Sequence, residues 1–384
     1  MKKNKKIFII AGEASGDILG AGVMQSLLSK SKNISFTGIG GEEMQKIKGF
    51  KSLFDISDIS VMGMVEILKR IFLIKKRIKQ TIREILKTKP DMVLTIDSPG
   101  FCMQVVKKVK SKLPNTKFVH YVAPQVWAWK EKRALKISKL FDYLLCFFPF
   151  EPKYFEKYGL KCFVVGHPAI KNVKGDKKRF VSNFNISKND VVITLLPGTR
   201  EQMAEKLLPI YSDVVDDLYN KIKNLKIVIP TTENMKYFIF EKTKTWKREP
   251  IIVTGIENRY DAFFASNCVL AISGTSVLEL AIANVPVVVA YKISPITYAI
   301  AKRLVKIKYV TLPNIIMGRE IIPEFIQDMC TPNNLENAIL KSLTNKKYRE
   351  KYFKNIALFN EKIGSEFKFS PSLKAAEAIL NILK

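Results

Sequence analysis

The sequence has few of the residues that build metal centres and disulfide frameworks. It contains two histidines, His120 and His167, and five cysteines, with no pair at CxxC spacing. An odd number of cysteines without paired spacing favours a reduced, cytosolic protein. With so few histidines a multi-histidine metal site is disfavoured, and we expect neither a metal nor a cofactor.

Long apolar runs are also missing. No stretch of about 18 apolar residues is free of charge, so no transmembrane helix is expected. The apolar run from Ile7 to Ala11 is too short for the core of a signal peptide and leads directly into a Gly/Asp loop. We therefore interpret this run as the first strand.

Acidic residues are scarce: 35 Asp and Glu stand against 64 Lys and Arg, which gives a formal net charge of +29. Such a charge predicts attraction to nucleic acid, an anionic lipid surface or phosphorylated small molecules. A generally lysine-rich composition accounts for the charge equally well, since the basic residues are spread along the whole chain. Zinc-finger spacing, an RNP signature and basic-region heptads are absent, so nucleic-acid binding is a remote alternative.

Short apolar runs alternate with longer helical patterns, which is typical of parallel α/β folds. A chain of 384 residues usually forms more than one domain. One series of predicted strands covers 6–11, 35–41, 91–97, 117–122, 143–148 and 162–166. A second series covers 191–198, 226–230, 251–255, 268–274 and 285–291. The sequence therefore predicts an α/β fold with two doubly wound, Rossmann-like domains facing across a cleft.

The predicted boundaries follow from changes in composition. The N-terminal domain covers 1–170, a polar junction covers 171–190, and the C-terminal domain covers 191–359. Helices are expected in 360–384. A further helix is predicted from Asp17 to Ser29, directly after the first strand and its loop.

Residues 61–86 combine apolar residues at helical spacing with many basic residues. A basic amphipathic helix of this kind can lie in a membrane interface. The alternative is a surface helix whose apolar stripe covers the sheet. We favour the alternative for 78–86 and contact with lipid for 61–74.

The sequence GEASGD, residues 12–17, lies between the first strand and a helix. Small residues let a ligand approach the backbone, and a helix start offers N–H groups to anionic oxygen. The alternative is a tight turn capped by Ser15 or Asp17. Glu13 is unusual in a plain turn and favours a functional loop. The GxGxxG fingerprint is absent, so a nicotinamide cofactor is disfavoured.

Asp97, in IDSPGF, ends a predicted buried strand, and ligands of open α/β sheets bind beyond such ends. A carboxylate there is a candidate general base for transfer to a hydroxyl group. Capping of the next helix is the alternative. Farther on, Trp127 and Trp129 beside basic residues could hold a sugar face or an acyl chain, or simply begin a helix.

Two loops of the second domain repeat one pattern of strand, small polar loop and helix. LLPGTRE contains Gly198, Thr199 and Arg200, and ISGTSVLELA contains Ser273, Gly274 and Thr275, with Glu279 one turn later; together they predict a nucleotide diphosphate site. No DxD motif occurs in the sequence. Arg200 and helix N-termini, rather than a metal, would then neutralise a departing diphosphate.

Together these motifs resemble the lipid-A-disaccharide synthase family, which has the GT-B glycosyltransferase fold. The matching text, in the family's order between residues 9 and 332, is IAGEASGD, SVMGMVEIL, IDSPGFCM, HYVAPQVWAWK, FPFEP, VGHP, LLPGTRE, SGTSVLELA and LPNIIMGREIIPEFIQ followed by CTP. The resemblance implies inverting transfer from UDP-2,3-diacylglucosamine to 2,3-diacylglucosamine 1-phosphate (lipid X). The products are the β-1,6-linked disaccharide 1-phosphate and UDP, in lipid A biosynthesis for lipopolysaccharide.

The resemblance also implies roles for individual residues. Asp97 would be the base that deprotonates the acceptor 6-hydroxyl, with Glu13, Ser15 and Asp17 in the catalytic cleft. The substrate-binding set would comprise Gly12, Gly16, Gly198, Thr199, Arg200, Ser273, Gly274, Thr275 and Glu279, together with Asn314, Arg319, Glu320 and Gln327 near the uridine and donor sugar.

The family further implies a peripheral position on the cytoplasmic face of the inner membrane, and the charge of +29 fits an anionic membrane surface there. GT-B folds usually send a last helix back over the first domain; residues 360–384 could do so, or could exchange between the subunits of a homodimer. The chain departs from the family at Thr199, at Met203 in place of an acid, and at Gly318 in place of an asparagine. The loss of the acid puts any role of that position in doubt. Another GT-B enzyme that uses a UDP-sugar, an epimerase or a peptidoglycan transferase, is the alternative.

Overall fold

The computed structural model of the protein describes residues 4–60, 70–126, 132–293, 298, 308–365 and 370–384. Most of the predicted lipid-contacting stretch, 61–69, and the two tryptophans Trp127 and Trp129 lie outside these residues. The chain divides into two compact units. Unit 1 comprises Met1–Pro168 and Phe367–Lys384, and unit 2 comprises Ala169–Glu366.

The elements alternate between strands and helices along the chain. The strands are β1 Lys5–Ala11, β2 Ile34–Ile39, β3 Met92–Ile96, β4 Lys117–Tyr121, β5 Tyr143–Cys146, β6 Lys161–Val164, β7 Val191–Leu196, β8 Leu225–Thr231, β9 Ile251–Thr254, β10 Cys268–Ile272, β11 Val287–Tyr291 and β12 Glu324–Ile326. The helices are α1 Ala14–Lys30, α2 Glu42–Gln45, α3 Ile71–Thr88, α4 Pro99–Val109, α5 Lys132–Leu140, α6 Lys153–Glu156, α7 Pro168–Asn172, α8 Lys177–Asn183, α9 Glu201–Lys221, α10 Glu233–Thr243, α11 Ile256–Ala265, α12 Thr275–Ile282, α13 Leu312–Met317, α14 Pro332–Thr344, α15 Lys346–Lys362 and α16 Pro371–Leu383.

Unit 1 contains a six-stranded parallel sheet in the order β2-β1-β3-β4-β5-β6. The run Ile7–Ala11 is completely buried, as expected when helices cover both faces of a parallel sheet. β1 pairs with β2 on one side and β3 on the other, so the direction in which the strands are added reverses between β1 and β3. This switch point places the loops after β1 and β3 beside each other.

The last helix, α16, belongs to unit 1 and packs against α1. Its buried face includes Ala375 and Ile379, which join the apolar core formed by alternate residues of β1. At Gly22 on α1, an added Cβ would lie 2.6 Å from the hydroxyl of Ser372, so the absence of a side chain permits this close approach.

Unit 2 contains a second six-stranded parallel sheet, in the order β12-β11-β10-β7-β8-β9, with its switch point between β7 and β10. The predicted α/β class with two doubly wound sheets is confirmed. The sequence did not reveal β12. The predicted junction contains a packed helix, α8, whose Phe180 is completely buried and whose Arg179 pairs with Asp261 of α11.

Helix α3 has two different faces. Ile78 and Ile85 are buried against the sheet of unit 1, as predicted for 78–86, whereas Phe72 near the start of the helix is 83% exposed. Among the helices that the structure describes, none combines the length and the apolar character needed to span a bilayer.

Candidate active site

The loops at the switch point of unit 1 bring two predicted residues together. Gly12 directly follows β1, and an added Cβ there would meet Ser98 at only 2.5 Å, so no other residue fits without a shift. Burial raises the pKa of Glu13, and the nearby charge of Asp97 raises it further. The structure therefore places Glu13 and Asp97 in one electrostatic environment.

Asp97 and Ser98 have an unusual backbone. Their φ angles are +51° and +42°, although left-handed conformations are uncommon outside glycine. The backbone N–H of Asp97 donates to Tyr121 at 3.0 Å, and its carboxylate accepts from the N–H of Ser98 at 2.8 Å. At the end of the neighbouring strand, Val122 also has a positive φ, of +80°. Such local strain tends to concentrate at functional sites.

Helix α1 begins at Ala14, three residues before the predicted start at Asp17. Ser15 is exposed in its first turn, and Gly16 packs near the backbone oxygen of Ile96 on β3. These two residues lie close to Glu13 because they belong to the turn that follows it.

Asp17 is only 4% exposed, and its carboxylate is already occupied. It accepts hydrogen bonds from the backbone N–H groups of Gly41 at 2.7 Å, Glu43 at 2.9 Å and Met44 at 3.0 Å. The side chain thus ties α1 to the first turn of α2. These hydrogen bonds give Asp17 a structural role in the loops around the site, and its place in the catalytic cleft stays a prediction.

Unit 2 has a cavity of about 330 Å³ at its own switch point. It is lined by both predicted loops: Gly198, Thr199, Arg200 and Met203 from one side, and Ile272, Ser273, Gly274, Thr275 and Ser276 from the other. α9 and α12 begin at the cavity, and their first N–H groups have no partner within the helix. Two helix N-termini and an arginine make a site suited to a multiply charged anion.

Backbone conformation shapes this cavity. Gly198 has a φ of +111°, which a side chain would disfavour, and it turns the chain from β7 towards α9. On the opposite side, the hydroxyl of Ser273 donates to the backbone oxygen of Val310 at 2.8 Å. This bond anchors the β10 loop to the segment that precedes α13.

Glu279 lies one turn into α12 and is not among the residues that line the cavity. Its carboxylate pairs with Arg259 and accepts a hydrogen bond from the hydroxyl of Tyr260 at 3.2 Å. Burial raises the pKa of Glu279, while the charge of Arg259 opposes that shift. Neither Arg259 nor Tyr260 was predicted from the sequence, since α11 carries no loop motif that would single them out.

The predicted donor-sugar residues Asn314 and Gln327 both make hydrogen bonds within unit 2. The buried Asn314 donates to Ile322 and Glu324 and accepts from the N–H groups of Ile321 and Ile322. Gln327 exchanges two hydrogen bonds with the backbone of Ile293. Both amides therefore organise their segment, and their place near the uridine and donor sugar stays a prediction.

The other two residues of this segment have different surroundings. Arg319 donates to the side chain of Asn355 at 2.9 Å. Burial raises the pKa of Glu320, and the charge of Glu324 raises it further. Glu324, which the sequence did not indicate, receives hydrogen bonds from Val310, Thr311 and Asn314 and so connects the segment to the cavity loop.

Comparison with known proteins gives consistent results for the whole chain. The family model for lipid-A-disaccharide synthetase matches residues 7–378. The lipid-A-disaccharide synthase of Gluconobacter oxydans is 40% identical over 379 residues, covering 98% of this chain and 90% of that protein. The synthase of Rickettsia prowazekii is 39% identical over 387 residues, covering 98% of each chain.

Solved structures of similar fold include a UDP-GlcNAc 2-epimerase from Neisseria meningitidis bound to UDP-GlcNAc, with a TM-score of 0.62, 16% identity, and coverage of 98% of this chain and 100% of that chain. A glycosyltransferase from Rickettsia africae has a TM-score of 0.57 and 12% identity, with coverage of 100% and 98%. At these identities the likeness concerns the fold alone, whereas the sequence relatives and the family model settle the family. This chain belongs to the lipid-A-disaccharide synthase family.

Proposed function

We propose that the protein is an inverting hexosyltransferase that condenses UDP-2,3-diacylglucosamine with 2,3-diacylglucosamine 1-phosphate. The products are the β-1,6-linked lipid A disaccharide 1-phosphate and UDP. The observation that carries this proposal is the position of the family's loops: they lie at both switch points, where open α/β sheets bind ligands. Unit 1 then supplies the acceptor-side groups and unit 2 the donor site.

The cavity of unit 2 suits the diphosphate of the donor. N–H groups at the starts of α9 and α12 offer hydrogen bonds to phosphate oxygens, and Arg200 adds a fixed positive charge. The hydroxyls of Thr199 and Thr275 are further donors at its wall. Because these groups are already in position, they would stabilise the negative charge that develops on the departing UDP.

In unit 1, Asp97 is suited to act as the general base. Its carboxylate takes the proton of the acceptor 6-hydroxyl as the oxygen attacks the anomeric carbon and the bond to UDP breaks with inversion. Glu13, with its raised pKa, is protonated more readily than an exposed glutamate.

The basic groove along α3 supports contact with an anionic membrane surface. This groove, about 790 Å³ in volume, lies between α3 and α4, and its basic lining residues are Lys75, Lys76, Arg77, Lys79, Arg83 and Lys108. Among the described residues that line it, none is acidic. Arg77 pairs with Asp58, whereas among the described residues no acid pairs with the other basic residues of the groove. Their charges suit phosphate groups of a bilayer, beside the exposed ring of Phe72. We propose peripheral binding at the cytoplasmic face of the inner membrane.

Direct assay of the reaction tests the proposed function. The purified protein is incubated with both acylated substrates, and the tetra-acylated disaccharide 1-phosphate and UDP are sought by mass spectrometry. Omission of either substrate is the control. Turnover of unacylated UDP-N-acetylglucosamine, with no disaccharide formed from the acylated pair, would instead support an enzyme of the epimerase kind.

A further inference from the structure

Arg259 contacts four side chains beside the anion cavity of unit 2. Its guanidinium donates to the hydroxyl of Ser276 at 3.1 Å and pairs with the carboxylate of Glu279. It also lies 5.6 Å from the ring centre of Tyr260 and 5.3 Å from that of Phe263. Several contacts from different directions therefore fix the planar group in one orientation.

The contacts of Arg259 reach α12 at two successive turns. Ser276 is in the first turn and lines the cavity, and Glu279 lies one turn farther along. Tyr260 donates to the other carboxylate oxygen of Glu279. Neighbouring residues of α11 thus hold both oxygens of this carboxylate.

The ion pair is poorly exposed, with side-chain exposures of 27% for Arg259 and 13% for Glu279. Removal of one partner would leave the other charge buried and uncompensated. If the lost partner were Arg259, an unpaired carboxylate would remain near the cavity wall that is suited to an anion. Of the two side chains of α11 that hold this carboxylate, only Tyr260 would remain.

We infer that Arg259 is a positioning residue for nucleoside diphosphate binding, and that it acts through Glu279. It orients the carboxylate, offsets its charge and holds Ser276 at the cavity wall, without contacting the ligand itself. This inference rests on the proposed function, in which the cavity takes the diphosphate of the donor.

The test is UDP binding by isothermal titration calorimetry, with no acceptor present. For Arg259→Gln we expect the Kd for UDP to rise about tenfold, because Ser276 is no longer held at the cavity wall and the charge of Glu279 is no longer offset. Arg259→Lys keeps the charge but not the planar fork, so it should recover part of the loss. The matched control is Arg248→Gln, which removes an arginine of the same unit that stacks on Tyr219.

A double-variant cycle tests whether Arg259 acts through Glu279. If it does, the effects of Arg259→Gln and Glu279→Gln are not independent: the second substitution removes the carboxylate that the first leaves unpaired, so the double variant binds UDP no more weakly than Arg259→Gln alone. Independent roles would instead multiply the losses of the two single variants. Multiplied effects, or an Arg259→Gln variant that binds UDP as tightly as the Arg248→Gln control, would overturn the inference.

Two further controls distinguish weaker UDP binding from misfolding and from the lack of a donor site. All titrations are made at a temperature at which thermal unfolding shows each variant to be folded. If Arg259→Gln does not fold, Arg259→Lys and its double variant with Glu279→Gln provide the same cycle. If the unsubstituted protein did not bind UDP, the proposed donor site itself would be wrong. If the protein and its Arg259 variants bound UDP equally well, only the inference about Arg259 would be wrong.

Discussion

Asp97 occupies a strained turn next to a second acid, and this arrangement makes its role testable. Replacement by asparagine keeps the size of the side chain but removes the base. We expect Asp97→Asn to lower kcat at least about 10³-fold, since a positioned general base usually contributes about 10²- to 10⁴-fold to the rate. The Kd for UDP should change less than about threefold, because the proposed diphosphate site lies in the other unit.

The matched control for this substitution is Asp91→Asn, just before the opposite end of the same strand, where the carboxylate accepts from the backbone of Lys6. This variant should keep nearly all activity. If Asp97→Asn retained more than about a tenth of kcat, Asp97 would not be the base.

Glu13 should leave a signature in the pH dependence of stability. Its pKa is raised in the folded protein, so the stability that it contributes is present below its unfolded pKa and is lost as the pH rises through the folded value. At pH 7 the ionised carboxylate is penalised by burial and by Asp97. We therefore expect Glu13→Gln to raise Tm by about 1–3 °C at pH 7 and to have little effect below about pH 4.

Thermal unfolding of Glu13→Gln at several pH values checks this expectation. The control is Glu42→Gln, a substitution at an exposed position of α2. A Tm difference for Glu13→Gln that was constant from pH 4 to pH 7 would show that ionisation of Glu13 is not its cause.

The positions of many residues of the candidate site could be predicted from the sequence, but only where a local motif marked them. Gly12, Gly198 and Ser273 follow strands in recognisable loops, and the structure places them at the two switch points. The structural hydrogen bonds of Asp17 and Asn314 could not be predicted, because their partners follow from how the chain folds. Asp17 accepts from backbone N–H groups, and Asn314 also donates to a backbone oxygen and to the carboxylate of Glu324. For Asp17 these partners lie 24 to 27 residues away. A sequence of polar residues does not reveal which of them the fold will occupy.

At the scale of elements, α3 allows the proposed membrane contact to be separated from catalysis. Replacement of Lys75, Lys79 and Arg83 by glutamine removes three charges from the basic groove. Each basic residue near an anionic surface contributes about 1 kcal/mol, so we expect binding to phosphatidylglycerol-containing vesicles to weaken about ten- to a hundredfold. Vesicle co-sedimentation at low and high salt measures this loss, which should shrink as salt rises.

The control for α3 is the triple substitution of Lys346, Lys347 and Lys351 by glutamine on exposed positions of α15, which changes the net charge equally. Activity on substrates in detergent micelles should be similar for both triple variants. Equal loss of vesicle binding by the two would assign the attraction to overall charge instead of the groove.

The elements themselves follow closely from hydrophobic patterning, with instructive exceptions. Eleven of the strands, β1 to β11, overlap apolar runs that are visible in the sequence. Such runs arise because both faces of a parallel sheet are buried. β12 is three residues long and contains Glu324, so it has no apolar run. α8 was interpreted as part of a junction, because its amphipathic pattern is too short to stand out among polar residues.

For the whole molecule, the return of α16 to unit 1 makes the C-terminus part of the first hydrophobic core. Ile379 is completely buried there, whereas Leu373 on the same helix is 41% exposed. Ile379→Ala removes buried methyl and methylene groups and leaves a cavity, which should lower the free energy of unfolding by about 2–4 kcal/mol. Leu373→Ala on the exposed side should cost less than about 1 kcal/mol.

Urea unfolding measures this loss of stability, and hydrogen exchange locates it within the chain. Because α16 packs against α1, Ile379→Ala should reduce protection in β1 and α1 of unit 1, while β7 and β10 of unit 2 keep theirs. The same variant should still bind UDP with unchanged affinity under conditions in which it is folded. Equal loss of protection in both sheets would mean that the two units unfold together, so that the C-terminal helix stabilises the whole molecule instead of unit 1 alone.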